Sequence, residues 1–233
     1  MEIISLTTIF WVCALILIAA FLFWRYIWFF RNPPRTIPRG ENIVSPADGT
    51  VVYVKSVKPK EDIVVIKQRL AARIEDIVRE HLDTPKVVVG IFMSPFNVHY
   101  NRSPLGGMVE KIVHHPPKTA NFHMGPMHFR TMFNRPPLHE NSMHIVENER
   151  TVTRIRGRFK GADVYCYVVQ IAGKSVRGIE SYISEGVEVG KGEIFGMIRI
   201  GSQVDTIVPH FTDMQIKVRP GDKVRAGESI LVE

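Results

Sequence analysis

Cysteine is scarce in this chain of 233 residues. Cys13 and Cys166 are too few for a disulfide framework, and neither stands in a C-x-x-C or zinc-type spacing. The 17 Gly and 15 Pro follow no fixed short period, which excludes collagen-like and low-complexity chains. A hydrophobic fraction of 45% excludes wholesale disorder. No stacking or groove-reading module for nucleic acid is visible, although 30 Lys+Arg against 23 Asp+Glu give a net charge of +7. The mean hydropathy of +0.02 is ordinary only because it averages two unlike regions.

The first region has no charge from Ile3 to Trp24 (IISLTTIFWVCALILIAAFLFW), a run long enough to cross a hydrocarbon core as one helix. A cleavable signal peptide would carry a basic leader, a shorter apolar core and a small-x-small cleavage site; here only Glu2 is charged before the run. Arg25, Trp28, Phe29, Phe30 and Arg31 follow as an aromatic belt and positive flank. Residues 1–28 therefore read as a retained anchor in the cell membrane, with everything after Arg25 on the cytoplasmic side. That side suits reduced cysteines.

Residues 29–40, rich in Pro and Arg, form a connector that cannot be regular helix. Residues 41–233 are long enough for one domain. Their short β-branched runs (GTVVYVKSV, KVVVGIFM, DVYCYVVQIA, EIFGMIRI, DTIVP, SILVE) between Gly/Pro turns predict a mainly β, α+β fold. One segment differs: in VIKQRLAARIEDIVREHL, Leu70, Ile74, Ile77, Val78 and Leu82 recur at helical spacing. It predicts an inserted amphipathic helix packed on the sheet, with a membrane-surface helix as the alternative.

Near the C-terminus, EGVEVGKGEIFGMI and PGDKVRAGESILVE align Gly186 with Gly221, Val189 with Val224, Gly192 with Gly227 and Glu193 with Glu228. Each copy predicts a strand–turn–strand hairpin with its valine inward. Such hairpins resemble the half-units of biotinyl/lipoyl-type barrel-sandwich hybrids, and ADGTVVYV at 47–54 looks like a further strand of the same sheet. The Met-Lys attachment tip of a swinging-arm carrier is missing.

Between the two copies lies Gly201-Ser202. On its own this pair is a turn, and the window I-G-S-Q-V lacks the G-x-S-x-G of a nucleophile elbow. His99, in VHYNR, titrates near neutrality, but a buried histidine often does no more than satisfy a carbonyl. Asp48, in PADG, is by itself a turn residue. In chain order, however, FFRNPPRTIP at 29–38, SPADG at 45–49, FMSPFNVHYNRSP at 92–104 and the Gly-Ser pair closely resemble the short, pyruvoyl-dependent phosphatidylserine decarboxylases. ENER at 147–150 and VVQIAG…EGVEVGKGEIFGMIRIGSQVD add to the likeness, which is weakest across 60–85 and 118–145.

That resemblance implies a self-processing proenzyme cleaved between Gly201 and Ser202 into a large chain, 1–201, and a small chain, 202–233. Ser202 would become a covalent pyruvoyl cofactor that takes the substrate amine as a Schiff base, converting phosphatidylserine to phosphatidylethanolamine. Glycine before the serine suits an unhindered, strained acyl shift. The resemblance also implies that His99 handles protons, as activator of Ser202 or donor to the carbanion, and that Asp48 orients it. Longer relatives carry a second histidine where this chain has Arg102, and His115, in HHPP, is the candidate replacement. An archaeal ether lipid, archaetidylserine, presents the same head group.

Six of the nine histidines lie between His114 and His144, in no metal-ligand spacing, so the segment reads as a surface loop or a lid over the lipid entrance and no metal is expected. RIRGRFK at 154–160 is a basic face suited to an anionic membrane surface. The competing non-enzymatic class is a membrane-fusion-type adaptor, with one N-terminal span and lipoyl-type hairpins. It requires the opposite topology and a long coiled coil that this chain lacks.

Overall fold

The computed structural model describes residues 5–67, 70–79, 82–174, 178–199 and 201–233, with the backbone alone at 65, 67 and 70. The start of the apolar run (residues 1–4), the Leu70 side chain and positions 68, 69, 80 and 81 of the predicted amphipathic helix lie outside the described residues.

The N-terminal run forms helix α1 (Leu6–Phe23), which continues as a π-helical turn over Trp24–Trp28. They include an 18-residue stretch of mean hydropathy 2.6 that is not buried against the rest of the protein, and together they span 23 residues. At 1.5 Å per residue this is about 34 Å, enough to cross a bilayer core.

The body is mainly β. Fifteen short strands occur among the described residues: β1 (Ile43–Val44), β2 (Gly49–Val57), β3 (Asp62–Lys67), β4 (Leu70–Arg73), β5 (Lys86–Met93), β6 (Tyr100–Arg102), β7 (Gly107–His115), β8 (Arg150–Phe159), β9 (Ala162–Ala172), β10 (Ile179–Ser181), β11 (Glu188–Val189), β12 (Ile194–Ile198), β13 (Ser202–Pro209), β14 (Lys223–Val224) and β15 (Ile230–Val232). Eight build one curled antiparallel sheet in the order β11-β7-β8-β9-β13-β5-β2-β14. The unbroken apolar run of β5 is explained by its position: Val87, Val89, Ile91 and Met93 enter the core on one face, Val88 and Phe92 the core on the other. β13 is the central strand, with Ser202–Pro209 paired to Met93–Lys86 of β5 and Ser202–Ile207 to Ala172–Tyr167 of β9.

The predicted amphipathic helix is largely replaced by strands. β3 and β4 pair as a hairpin, and among the described residues of this segment α2 (Ile74–Val78) alone is helical. The β-branched run Ile63–Ile66 favours extended backbone, and Arg79 ends the helix in a left-handed conformation at φ +59°. Ile74, Ile77, Val78 and Leu82 are buried in the second core, so the described apolar side chains of this helical turn and of Leu82 pack inward on the sheet.

The repeat is real, but its copies are not self-paired hairpins. β11 pairs with β7 and β14 with β2, so the copies close the two opposite edges of the large sheet. β12 pairs with β6, and β15 with β1. The partners repeat as well: Ser45-Pro46 and Ser103-Pro104 make matching bonds, Arg102 N to Pro46 O and Val44 N to Pro104 O, both 2.9 Å. Val189 and Val224 are buried, as the alignment requires.

The connector runs across this two-fold arrangement without helix or strand. Ile37 sits on Gly192 and Gly227, both at positive φ. A Cβ on Gly192 would lie 2.3 Å from Ile37 Cδ1, whereas Gly161, at φ +72°, has open space. Gly192→Ala is therefore expected to cost about 2–3 kcal/mol, strain plus displacement of Ile37, and Gly161→Ala only about 1 kcal/mol. Thermal unfolding of the full chain in nanodiscs checks the difference; equal melting temperatures would refute it.

Candidate active site

Gly201 leads into β13 with φ +63°, a left-handed conformation that an L side chain would strain. Among the described residues no atom lies within 4 Å of where its Cβ would be, so the backbone conformation itself calls for glycine here. Ser202 follows at the head of the central strand, fully buried, with its hydroxyl directed to the Met93 sulfur at 3.5 Å. A thioether is a weak acceptor, so that bond holds the hydroxyl loosely.

His99 lies in the turn after β5, the strand whose Met93 stands opposite Ser202. Its ring is fully buried against Phe29 at 4.2 Å, and Nδ1 meets the Asn97 carbonyl at 2.9 Å. A carbonyl only accepts, so Nδ1 carries the proton and Nε2 presents its lone pair. That Nε2 is buried without a hydrogen-bond partner among the described residues. Burial first, and the Arg31 charge besides, hold the imidazole down to about 4 against the Asn97 bond. His99 is thus a neutral base at physiological pH.

Asp48 precedes β2 at the same end of the sheet. Its carboxylate accepts from Ala226 N (2.7 Å) and from Arg35 Nη2 (3.0 Å), and Arg35 also reaches Glu228. The bond that orients the His99 ring is to the Asn97 carbonyl, while the Asp48 carboxylate ties the connector, through Arg35, to the turn before β15 at Ala226. Arg102 ties Gly192 O and Asn32 Oδ1, both at 2.7 Å, and so clamps the connector too. His115 is not brought to the serine: it pairs with Arg150, Arg150 with Ile171 and Ile171 with Gln203, three strand spacings or about 14 Å.

The opposite face of β13 carries a buried polar network absent from the sequence reading. Gln203 donates to Asp205 Oδ1 (2.7 Å) and to the Tyr53 hydroxyl (2.8 Å), Tyr53 donates to Asp205 Oδ2 (2.8 Å), and His144 Nε2 meets Gln203 Oε1 at 3.0 Å. Gly90 makes this possible: it stands opposite both Tyr53 and Asp205, and a Cβ there would lie 2.4 Å from the Tyr53 ring. Burial raises the Asp205 carboxyl to about 6 although its two donors pull it down. Its folded value exceeds its unfolded one, so its share of stability is complete in acid and is lost as pH rises through about 6. Tyr53→Phe removes one donor and is expected to cost about 1–3 kcal/mol, more near about pH 7.5 than near about pH 5. Unfolding measured at both pH values checks this; an equal loss at both would refute the assignment.

The His-rich segment is partly helical, with α3 (Gly125–Met132) and α4 (His144–Glu147), and it covers the second core through Met127, Leu138, Ile145 and Val146. His123 and His128 line a cleft of about 220 Å³ that reaches Gly201 beside Lys174. His128 is shared with a larger cleft of about 840 Å³ bounded by Phe96, Asn97, Arg219 and Lys223. Among the described residues no three His, Cys, Asp or Glu side chains gather to hold a metal ion.

The sequence profile described as phosphatidylserine decarboxylase matches residues 22–232. A phosphatidylserine decarboxylase proenzyme from Aromatoleum aromaticum is 33% identical over 91% of this chain and 80% of its own. A chain from Methanopyrus kandleri assigned as an archaetidylserine decarboxylase proenzyme is 37% identical over 92% and 82%. A similarly assigned chain from Methanocaldococcus jannaschii is 35% identical over 94% and 91%. With the match running from the end of the apolar helix through the last strand, the chain belongs to the phosphatidylserine decarboxylase family.

Proposed function

We propose that this protein is a self-processing, membrane-anchored decarboxylase that converts phosphatidylserine to phosphatidylethanolamine. One observation carries the reading: a buried serine follows a left-handed glycine at the head of the central strand, in a sheet end that also holds a neutral histidine with a free lone pair.

His99 Nε2 takes the Ser202 proton as Oγ attacks the Gly201 carbonyl. The C–N bond breaks, the Ser202 nitrogen regains a proton, and an ester joins the two residues. Loss of the Ser202 α-proton then expels the Gly201 carboxylate and leaves a dehydroalanine, which water hydrolyses with release of ammonia. The residues fit the pyruvoyl group that results: among the described residues, space is open beside the Gly201 α-carbon and the Ser202 hydroxyl is held by no more than the Met93 thioether. That group, once formed, supplies a carbonyl for the substrate amine and a sink for the electrons left when CO₂ departs. His123, His128 and Lys174 place donors along the cleft beside it, suited to the phosphate and carboxylate of a serine head group.

Pairing of β13 on both sides supports a mature form whose small chain, 202–233, stays bound to the large chain, 1–201. The two-fold arrangement of the repeat copies, one on each side of the cleavage point, favours the barrel-sandwich likeness and a domain spanning 41–233. The Arg25 and Arg31 flank of the apolar helix favours a catalytic body on the cytoplasmic face of the cell membrane. Family membership takes the place of the adaptor reading. Relatives named for phosphatidylserine and for archaetidylserine match to a similar degree, and both lipids present phosphoserine, which supports recognition through the head group.

Release of CO₂ and formation of the ethanolamine lipid from vesicles containing phosphatidylserine, with archaetidylserine vesicles in parallel, tests the reading. Turnover of either supports serine-lipid decarboxylation, and the preferred lipid fixes the tails. A processed protein that turns over neither would overturn it.

A further inference from the structure

Helix α3 leaves Phe129, Met132 and Phe133 exposed at 48%, 60% and 55%, while Met127 on its other side is fully buried. Spaced i, i+3 and i+4, the three make one outward apolar face. The Phe129 and Phe133 rings lie 4.7 Å apart, with the Arg135 guanidinium 5.3 Å over Phe129. Neither the sheet nor the proposed chemistry uses this face.

Across the larger cleft from α3 stands Phe96, itself 64% exposed. Phe96 is fastened to the end of the apolar helix: its ring lies 6.2 Å from Trp24, and its carbonyl accepts from Arg31 Nη2 at 2.7 Å. Arg219 and Lys223 stand in the same cleft. A ring of exposed aromatics and cations thus runs on from the membrane anchor around the cleft mouth. Aromatic and Met side chains beside Arg and Lys suit the boundary between acyl chains and anionic head groups.

We propose that α3 and the Phe96 turn form a second membrane-contact surface, which seats the cleft mouth on the bilayer crossed by the N-terminal helix. This rests on the reading of residues 6–28 as a membrane span. Continuity with that span selects a bilayer over a second copy or a soluble partner, because the face begins where the helix leaves the body. A serine lipid would then move sideways into the cleft toward Gly201 without leaving the bilayer.

The test uses the full chain in vesicles of phosphatidylglycerol and phosphatidylcholine, with Cys13→Ala to remove the exposed native thiol. An environment-sensitive fluorophore is placed on Phe133→Cys or, as a control, on Asp213→Cys. Asp213 meets Lys160 at the β8–β9 turn, the end of those strands remote from Gly173. Strong quenching at 133 by lipids spin-labelled near the head of the acyl chain, and little at 213, is expected. Equal weak quenching at both sites would overturn the proposal, as would protection of 133 by cross-linked dimers instead. This readout is independent of turnover, so it stands apart from the decarboxylase assignment. In the Phe129→Ser, Phe133→Ser double variant, self-cleavage and turnover of a dispersed short-chain serine lipid should be unchanged, while turnover of vesicle substrate falls about tenfold. An unchanged rate on vesicles would also overturn it.

Discussion

Ser202→Ala should remain a single full-length chain and release no CO₂ from serine-lipid vesicles. The change removes only a hydroxyl that donates to the Met93 sulfur at 3.5 Å, so its cost to stability is expected to stay below about 1 kcal/mol. Loss of cleavage would therefore report lost chemistry rather than lost fold. A C-terminally tagged wild type should yield a short tagged fragment on a denaturing gel, and the variant should not. Cleavage of the variant at the same place would remove Ser202 from the mechanism.

His99→Ala should slow self-cleavage by about 10²–10⁴-fold, the usual worth of a positioned proton acceptor. The pH profile separates this role from packing against Phe29. A His99 held down to about 4 is neutral throughout the physiological range, so the wild-type rate should be flat from about pH 5 upward and fall only in stronger acid. A sigmoid centred near an ordinary histidine value of about 6.5 would mean a different base. The linkage has the matching sign. Because the folded value lies below the unfolded one, the unfolded chain takes up the proton first, and stability falls as pH drops below about 6.5. His144, buried on the other face of β13 and also held down to about 4, adds to that acid sensitivity.

Much of this arrangement was legible in the residues. The uncharged stretch before Trp24, the β-branched runs and the three aligned glycine and valine pairs each correspond to an observed element. Gly186, Gly192, Gly221 and Gly227 all adopt positive φ, which is what a repeated turn glycine should do. Pairing was harder to read. Local pattern shows where strands lie but not their partners, so β11 and β14 looked like halves of hairpins when they close opposite sheet edges. The 65–82 segment misled for a related reason. Ile74, Ile77 and Val78 keep helical spacing through a single helical turn, but the run before it joins a hairpin.

At the site, Gly201, Ser202 and His99 were visible through ordered motifs that surround them. The Asp48 carboxylate was legible as special, but its partners, Arg35 and Ala226, come from segments distant in sequence. The Tyr53–Gln203–Asp205–His144 network had one signal, polar residues alternating inside an otherwise apolar strand, SQVDTIVP, and that signal names no partners. His128 was one histidine among six until α3 set it between the two clefts.

The central claim is that the Gly201–Ser202 bond converts itself into a pyruvoyl end. The most direct measurement is the intact mass of the small chain purified from wild-type membranes. The account predicts a fragment of residues 202–233 lighter by one ammonia than the same peptide with an N-terminal serine. A fragment that keeps the full serine mass, or a chain that stays whole while folded in its membrane, would contradict it.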